Sequence, residues 1–328
     1  MSTDYQEAVL IVPRLKVRGA NAVSSQMTWG FPSITAFTGL MTALARRRAG
    51  EGAVEFRGIG VVCHDCEPQT TEGGYTRAFR LTRNPVDKKG DTAAIVEEGR
   101  IHLDVTLVFL VNLATTHVGE GARQRIAQET SRLLHDMRIA GGSLLPSAPD
   151  EGRRAQRPSL HVLPDTSDDR RAQFRTMTRR WLPGFTLVDR RDLLDAHLAT
   201  LCQTTPGTRL LDAWLDLSRL NHRAIRAPDG TVEWVTDRRE GWTVPIPVGY
   251  AGLSQLYRSG EVANARDATT PFRFVESVYS IGQWISPHRL TDVVDLVWYT
   301  SYDPADGLYR CCNDYSVSTS AADAAAIR

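Results

Sequence analysis

Residues 101–113 read IHLDVTLVFLVNL, rich in Val, Leu and Phe, and form the clearest strand in the chain. What surrounds that strand limits the folds available to it. Residues 8–17 alternate after a short apolar run and predict a strand, and residues 55–63 predict a second. Between them Phe37, Leu40, Met41 and Leu44 recur at helical spacing. Ser33 is placed to cap that helix, and Arg46, Arg47, Arg48 and Gly50 to end it. Residues 75–82 predict one arm of a hairpin whose tip holds Pro85, Lys88, Lys89 and Gly90. After the central strand a helix is predicted over 120–139, with Ile126, Leu133, Leu134 and Met137 on one side, stopping at Gly141 and Gly142.

The order is strand, helix, strand, hairpin, strand, helix, most of a ferredoxin-like βαββαβ unit. Residues 184–188 are the expected fourth strand, which makes 146–180 an insertion rich in Arg and Asp. The fold class is α+β: a ferredoxin-like (RRM-like) domain over 1–189, with insertions at about 70–100 and 146–180. The region 190–328 is expected to be mostly helical, with helices at 192–202, 210–221, 271–282 and 287–299. Thr270 and Ser286 are placed as caps of the last two, with Pro271 and Pro287 in their first turns. Residues 226–268 are expected to be loop-like, with Pro245, Ile246 and Pro247 extended, and the tail after Ser316 to fray.

Composition excludes classes more than it selects one. A hydrophobic fraction of 42% and a charged fraction of 23% are those of an ordinary globular protein. The formal net charge of +1 gives no global basic field. Of 39 basic residues only Lys16, Lys88 and Lys89 are lysine. Arginine suits RNA, because its planar fork grips phosphate and stacks on bases, and a GC-rich genome accounts for the same bias. Five scattered cysteines make no disulfide scaffold. No run of about 18 apolar residues exists to span a membrane. Residues 1–7 are polar and unlike a secretory signal, so a cytoplasmic location is expected.

Several enzyme signatures are missing. No lysine follows a glycine, and neither a G-x-S-x-G elbow nor an H-E-x-x-H pair occurs. Gly58-Ile59-Gly60 lacks a third glycine and is read as packing. Cys63 and Cys66 flank His64 and Asp65, but residues three apart on a regular strand face opposite sides, which favours packing over zinc. His64, His102 and His288 have no local reason to meet. A non-catalytic protein without metal or cofactor is expected.

The stretch 21–32, NAVSSQMTWGFP, carries the strongest binding signal. Trp29 and Phe31 can stack on unpaired bases, while Asn21, Ser24 and Ser25 can reach base edges and the 2′-hydroxyl. An ordinary turn with both rings in the core fits equally. Arg77, Arg80, Arg83 and Asn84 surround Phe79 on the hairpin arm, suited to lying over a nucleic-acid strand or to a solvated hairpin. Arg138 with Gly141, Gly142 and Ser143 puts a basic side chain beside a glycine turn that can approach phosphate or simply end a helix. Arg171, Arg175 and Arg179 line one face at helical spacing, in a basic stripe ending at Trp181. Phosphate, an acidic partner and plain exposed surface with no partner are all open to them.

These residues also carry a resemblance. Residues 10–15, 20–22, 24–25, 28–33 and 36–39 resemble the second-subunit family of type I-F CRISPR Csy complexes, the type I-F members of the Cas-five RAMP group. The likeness continues at 81–85, 92–100, 137–146, 179–185 and 245–250, then at 260–262, 264–267 and 286–289. It is weaker at 148–170, 224–240 and after Arg310. The resemblance implies a RAMP fold with thumb-like and helical additions. It implies CRISPR RNA, the large subunit and Cas-seven-type backbone subunits as partners, with target DNA close by. It implies a subunit that holds the 5′ handle of the guide RNA without cutting it. Arg266 and Arg289, inside the matching blocks, join the stripe as weaker contact candidates. A RAMP endoribonuclease and a protein-only scaffold are the alternatives.

Overall fold

A computed structural model describes residues 4–50, 52–80, 86, 89–92, 98–146, 157–226, 228–237, 239, 241–265 and 267–315. The chain divides into two compact units, Met1–Leu187 with Ile285–Tyr299, and Val188–Trp284 with Thr300–Arg328.

The first unit runs through β1 (Tyr5–Asn21), α1 (Ile34–Arg47), β2 (Val54–Pro68) and a hairpin of β3 (Thr70–Gly73) and β4 (Thr76–Phe79). It continues through β5 (Arg100–Ala114), α2 (Glu120–His135), β6 (Arg138–Ile139), β7 (Gly142–Leu144), β8 (Ser159–Val162) and α3 (Ser167–Thr178). The strand β9 (Phe185–Asp189) follows. As its composition predicts, 101–113 is the centre: β5 lies between β1 and β2, antiparallel to both. Val105, Leu107, Val108, Phe109 and Val111 have no exposed surface. The Ser33 hydroxyl accepts from the Thr35 N–H at 3.3 Å, and α1 buries Ile34, Phe37, Leu40, Met41 and Leu44, the apolar stripe expected of it. Gly58 and Gly60 are packing positions: an added Cβ would meet the Val297 side chain at 3.1 Å and Leu296 at 2.4 Å.

Three expectations in this unit are corrected. The second helix ends at His135, and the chain then turns through β6 and β7. Ala140 (φ 48°) and Gly141 (φ 78°) take the two left-handed positions that a tight two-residue hairpin demands. Residues 184–188 do form a strand, but β9 pairs with β2, whereas the outer neighbour of β1 is β8, inside the supposed insertion. Ser159, Leu160, His161 and Val162 are too few to give a periodic signal. The arm at 75–82 belongs to an earlier hairpin that turns at Gly74 and Tyr75, where Gly74 (φ 62°) supplies the left-handed corner, and the expected tip is a separate turn in which Val86 bridges Thr92.

The second unit opens with α4 (Arg191–Thr204) and α5 (Leu210–Ser218), both near their expected places. It continues with a hairpin of β10 (His222–Arg226) and β11 (Val232–Thr236), then β12 (Trp242–Gly252) and β13 (Val275–Ile285). A 3-10 turn (Pro287–Arg289) and the one-turn α6 (Val293–Leu296) follow in the first unit. The chain ends its described course in β14 (Tyr299–Asp303) and β15 (Leu308–Cys312) of the second. The C-terminal part is therefore not mostly helical. Its strands run in the order β14-β15-β12-β13; 271–282 is not a helix, and the helix expected over 287–299 is reduced to the 3-10 turn and the single turn of α6. Val275, Val278 and Ile281 have helical spacing, yet they are β-branched and β13 pairs with β12 from Val275 to Trp284. The loop expected over 226–268 contains β11 and β12, with Pro245, Ile246 and Pro247 extended as predicted. Leu194, Ala213, Trp214 and Ile281 form the buried cluster, and the Trp214 indole donates to the Ser280 carbonyl at 3.0 Å.

Trp298 closes the first unit's core with no exposed surface. Its indole donates to the Leu187 carbonyl at 2.9 Å, and its backbone exchanges two 2.8 Å hydrogen bonds with Ile59. Trp298→Ala should lower the unfolding free energy by about 3–5 kcal/mol in urea denaturation. A loss below about 1 kcal/mol would show that the indole fills no core.

Candidate nucleic-acid interface

The far end of β1 gathers three of the candidate segments. The Asn21 N–H donates to the Ala140 carbonyl at 2.8 Å, in the β6–β7 turn, and the Ala22 N–H to the Gly99 carbonyl at 2.9 Å. Val23 then bridges Trp29, closing a small loop whose Gly30 N–H returns to the Ala22 carbonyl at 2.7 Å. Asn21 is thus the last residue of β1, and the loop begins after it.

Polar side chains shape this loop. The Asn21 amide donates to the Val23 carbonyl at 2.9 Å and accepts from the Val23 N–H at 3.1 Å. The hydroxyls of Ser24 and Ser25 lie 2.8 and 2.7 Å from that of Thr28, which is itself buried. Asn21, Ser24 and Ser25 therefore spend part of their hydrogen-bonding capacity on holding the turn.

The two aromatic residues part ways. Phe31 stacks on the fully buried Phe37 of α1, with centroids 5.5 Å apart and planes at 10°. Trp29 is 49% exposed and is met edge-on by Phe79 of β4 at 5.6 Å. The hairpin β3–β4 thus lies against the loop. An added Cβ on Gly99 would strike Val23 at 2.7 Å and Phe79 at 3.4 Å, so its missing side chain makes room for this approach. Arg77 is exposed and pairs with Glu72 at 2.6 Å, while Arg80 reaches the Gln69 amide oxygen at 3.4 Å. Arg83 and Asn84 lie outside the described residues, as does Arg266.

Arg138 curls over its own turn, donating to the Gly141 carbonyl at 3.3 Å and the Ser143 hydroxyl at 3.2 Å. Gly142 has no room for a side chain, since a Cβ would lie 2.7 Å from the backbone nitrogen of Ala20. Arg171 and Arg175 are exposed on α3, with Arg179 in the 3-10 turn after it, and Arg289 is exposed in the turn Pro287–Arg289. Neither group joins the end of β1 through any contact seen among the described residues.

One basic row went unread in the sequence. Arg14, Lys16 and Arg18 alternate on the exposed face of β1, and Arg18 stands opposite Ser143 of β7. Arg14 pairs with Asp104 at 2.9 Å. The period-two spacing Arg-Leu-Lys-Val-Arg was the available signal. It leads along the strand toward Asn21.

The cysteines need a correction. A bulge between Cys63 and Asp65 adds one residue to β2, so Cys63 faces Val105 and Cys66 faces Leu103. Those partners are two apart, which places both sulfurs on one face. Cys63 is buried and Cys66 exposed. The Cys63 thiol donates to the Asp65 carbonyl at 3.5 Å; its sulfur beside Cys66 holds the Cys66 pKa down to about 7, while that neighbour and burial push the Cys63 thiol up. His64 is spoken for, its ring nitrogens lying 2.7 Å from the Pro183 carbonyl and 2.8 Å from the Thr106 hydroxyl. Among the described residues no three His, Cys, Asp or Glu side chains group to hold a metal ion.

The sequence model of the family described as CRISPR-associated protein (Cas_Csy2) matches residues 10–311. The chain belongs to the Csy2 family. It is also 46% identical over 324 residues to the CRISPR-associated protein Csy2 of Pseudomonas aeruginosa (strain UCBPP-PA14), covering 94% of this chain and 96% of that one. The matched span contains every block that carried the resemblance, from 10–15 to 286–289. Likeness to the Csy2 family thus runs through both units.

The cysteine geometry gives a direct test. Iodoacetamide should label Cys66 with a half-maximal rate near pH 7, about 1.5 units below an ordinary thiol. Cys63→Ser should move that midpoint upward as the neighbouring sulfur is lost. Equal labelling of both thiols with midpoints near 8.5 would refute the pairing.

Proposed function

We propose that this chain is a non-catalytic, RNA-holding subunit of a type I-F Csy surveillance complex, gripping the repeat-derived 5′ handle of the guide RNA. Membership in the Csy2 family supports the assembly, and one observation carries the grip: Trp29 stands half exposed, braced edge-on by Phe79, where loop, hairpin and glycine turn converge. A ring held this way offers a free face to an unpaired base. Arg77 and Arg80 lie within two residues of Phe79 along the same arm, and the row Arg14, Lys16 and Arg18 extends a path for phosphates along β1.

The strand order supports a ferredoxin-like reading of the first unit. With β5 between β1 and β2 and β8 outside β1, the sequence of edges is fourth, first, third, second, and α1 and α2 are the two crossovers. In RRM-type domains this sheet serves RNA. Location in the cytoplasm follows from such a role, and no helix among the described residues is long and apolar enough to cross a membrane.

Pairing with the large subunit and with Cas-seven-type backbone subunits draws on the second unit. Every residue of the strands β10 and β11 is exposed, including Ile225 and Trp234, the latter at 71%. A two-stranded hairpin alone is marginal in water, so a partner surface is its natural cover. Target DNA then lies near this subunit without being cut by it.

Trp29→Ala should weaken binding of the handle RNA by about 1–3 kcal/mol with circular dichroism unchanged, because the ring is not core. Arg77→Ala and Arg80→Ala should each flatten the salt dependence by about 0.7 in slope. Precursor RNA should emerge uncut, with or without Mg²⁺. Unchanged affinity in all three folded variants would leave a protein-only scaffold, and specific products abolished by His64→Ala would leave an endoribonuclease.

A further inference from the structure

The edge of β1 is covered in two pieces. β8 pairs with Ala8 to Ile11, and β7 pairs with Val17 and Arg18. Between them the register with β5 slips after Val12, Pro13 has no N–H to offer, and Arg14 takes a left-handed backbone (φ 53°). No strand can continue there. The result is a cleft of about 1010 Å³ with β1 and β8 at its base and α2 and the end of α3 as its walls. All its lining residues belong to the first unit. None of them belongs to the Trp29 loop, the β3–β4 hairpin or the β6–β7 turn.

The lining is chemically one-sided. Arg157, Arg179 and Arg180 contribute guanidinium groups, and Gln124, Gln128 and Gln173 contribute carboxamides. No Asp or Glu lines the cleft among the described residues. The His161 imidazole reports the resulting potential: burial first, then Arg180 and Arg123, hold its pKa below the usual value. The Gln173 amide is fixed by donating to the Val162 carbonyl at 3.0 Å, and its buried oxygen has no partner. A buried acceptor without a donor is costly to leave so. The cleft therefore asks for two things at once, negative charge for the arginines and an N–H donor for Gln173. Phosphate alone supplies only the first. Its size also exceeds a lone phosphate, at the top of the roughly 300–1,000 Å³ range of small-molecule sites.

We propose that this cleft is a second nucleic-acid site, which takes a single-stranded segment with a phosphate on Arg157 and Arg179 and an amino-bearing base toward Gln173. Adenine and cytosine carry an exocyclic amino donor, whereas uracil presents an oxygen in its place. A strand of either sugar meets this requirement. The site stands independently of the Trp29 surface.

The test uses the full chain carrying Trp29→Ala and Arg77→Ala, so that the first surface is disabled. Binding of short fluorescein-labelled oligoadenylate, oligouridylate and oligodeoxyadenylate is followed by anisotropy across a salt series, beside a labelled polyglutamate peptide. Oligoadenylate is expected to bind better than oligouridylate, and the deoxy probe shows whether RNA or DNA is the better source. Arg157→Ala with Arg179→Ala should weaken it about tenfold and lower the salt slope by about 0.7 per lost contact. Gln173→Leu should erase the preference for adenine while leaving the slope unchanged. Both arginines are exposed, and a thermal melt confirms that the variants fold. Oligonucleotide binding that ignores all three substitutions would overturn the proposal without touching the Trp29 reading. So would a cleft that takes polyglutamate and no oligonucleotide, which would make it a docking site for an acidic protein segment.

Discussion

Everything in the first unit hangs on β5. It runs antiparallel between β1 and β2, so each of its buried residues fixes the register of two neighbours together. A slip of one residue on either side would turn a buried face outward. The neighbours nonetheless are longer than a smooth pairing allows, and they absorb the excess in bulges after Val12, Val17, Phe56 and Cys63. These bulges are where the chemistry collects. The first twists Arg14 into a left-handed backbone and opens the edge of β1, and the last brings Cys63 and Cys66 to one face. A regular sheet with the same residues would have neither the cleft nor the paired thiols.

Strong local signals were legible in the sequence. The apolar run of 101–113, the Ser33 cap and the stripe of α1 each rest on contacts within a few residues, so no tertiary knowledge was needed. The failures share one cause. Residues 271–282 place Phe272, Val275 and Val278 three apart, which satisfies a helical template, and only pairing with β12 reveals the strand. β8 and the β10–β11 hairpin are short segments whose conformation is decided by a partner rather than by periodicity. Helix capping by Thr270 was a local fit that the sheet overrode, whereas Ser286 does precede a helical turn that opens on Pro287 and stops after three residues.

The candidate interface was legible in its parts and not in its division of labour. Trp29 and Phe31 look interchangeable in the sequence, two rings on either side of a glycine. Gly30 (φ 120°) reverses the chain between them, and Phe31 stacks onto α1 while Trp29 stays on the surface. Likewise Asn21, Ser24 and Ser25 were singled out as readers of RNA, and they also build the loop that presents Trp29. Such residues join two functions, so their replacement reports shape as well as contact. The row on β1 was missed because Arg14, Lys16 and Arg18 were counted inside a strand and not by face.

A net charge of +1 is a poor guide to what such a protein binds. At physiological salt the screening length is about 8 Å, so a phosphate feels only the charges beside it. Acids elsewhere on the chain cancel the sum without weakening the local field. Where Arg77 faces Glu72, or Arg14 faces Asp104, the cation is already partnered and a polyanion must displace or share that carboxylate. Where a cleft is lined by guanidinium and carboxamide groups, with no acid among its described lining residues, the local field stays positive. The two kinds of arginine should therefore play different parts. Paired ones hold a hairpin in place until a strand arrives, and clustered ones set where that strand can come to rest.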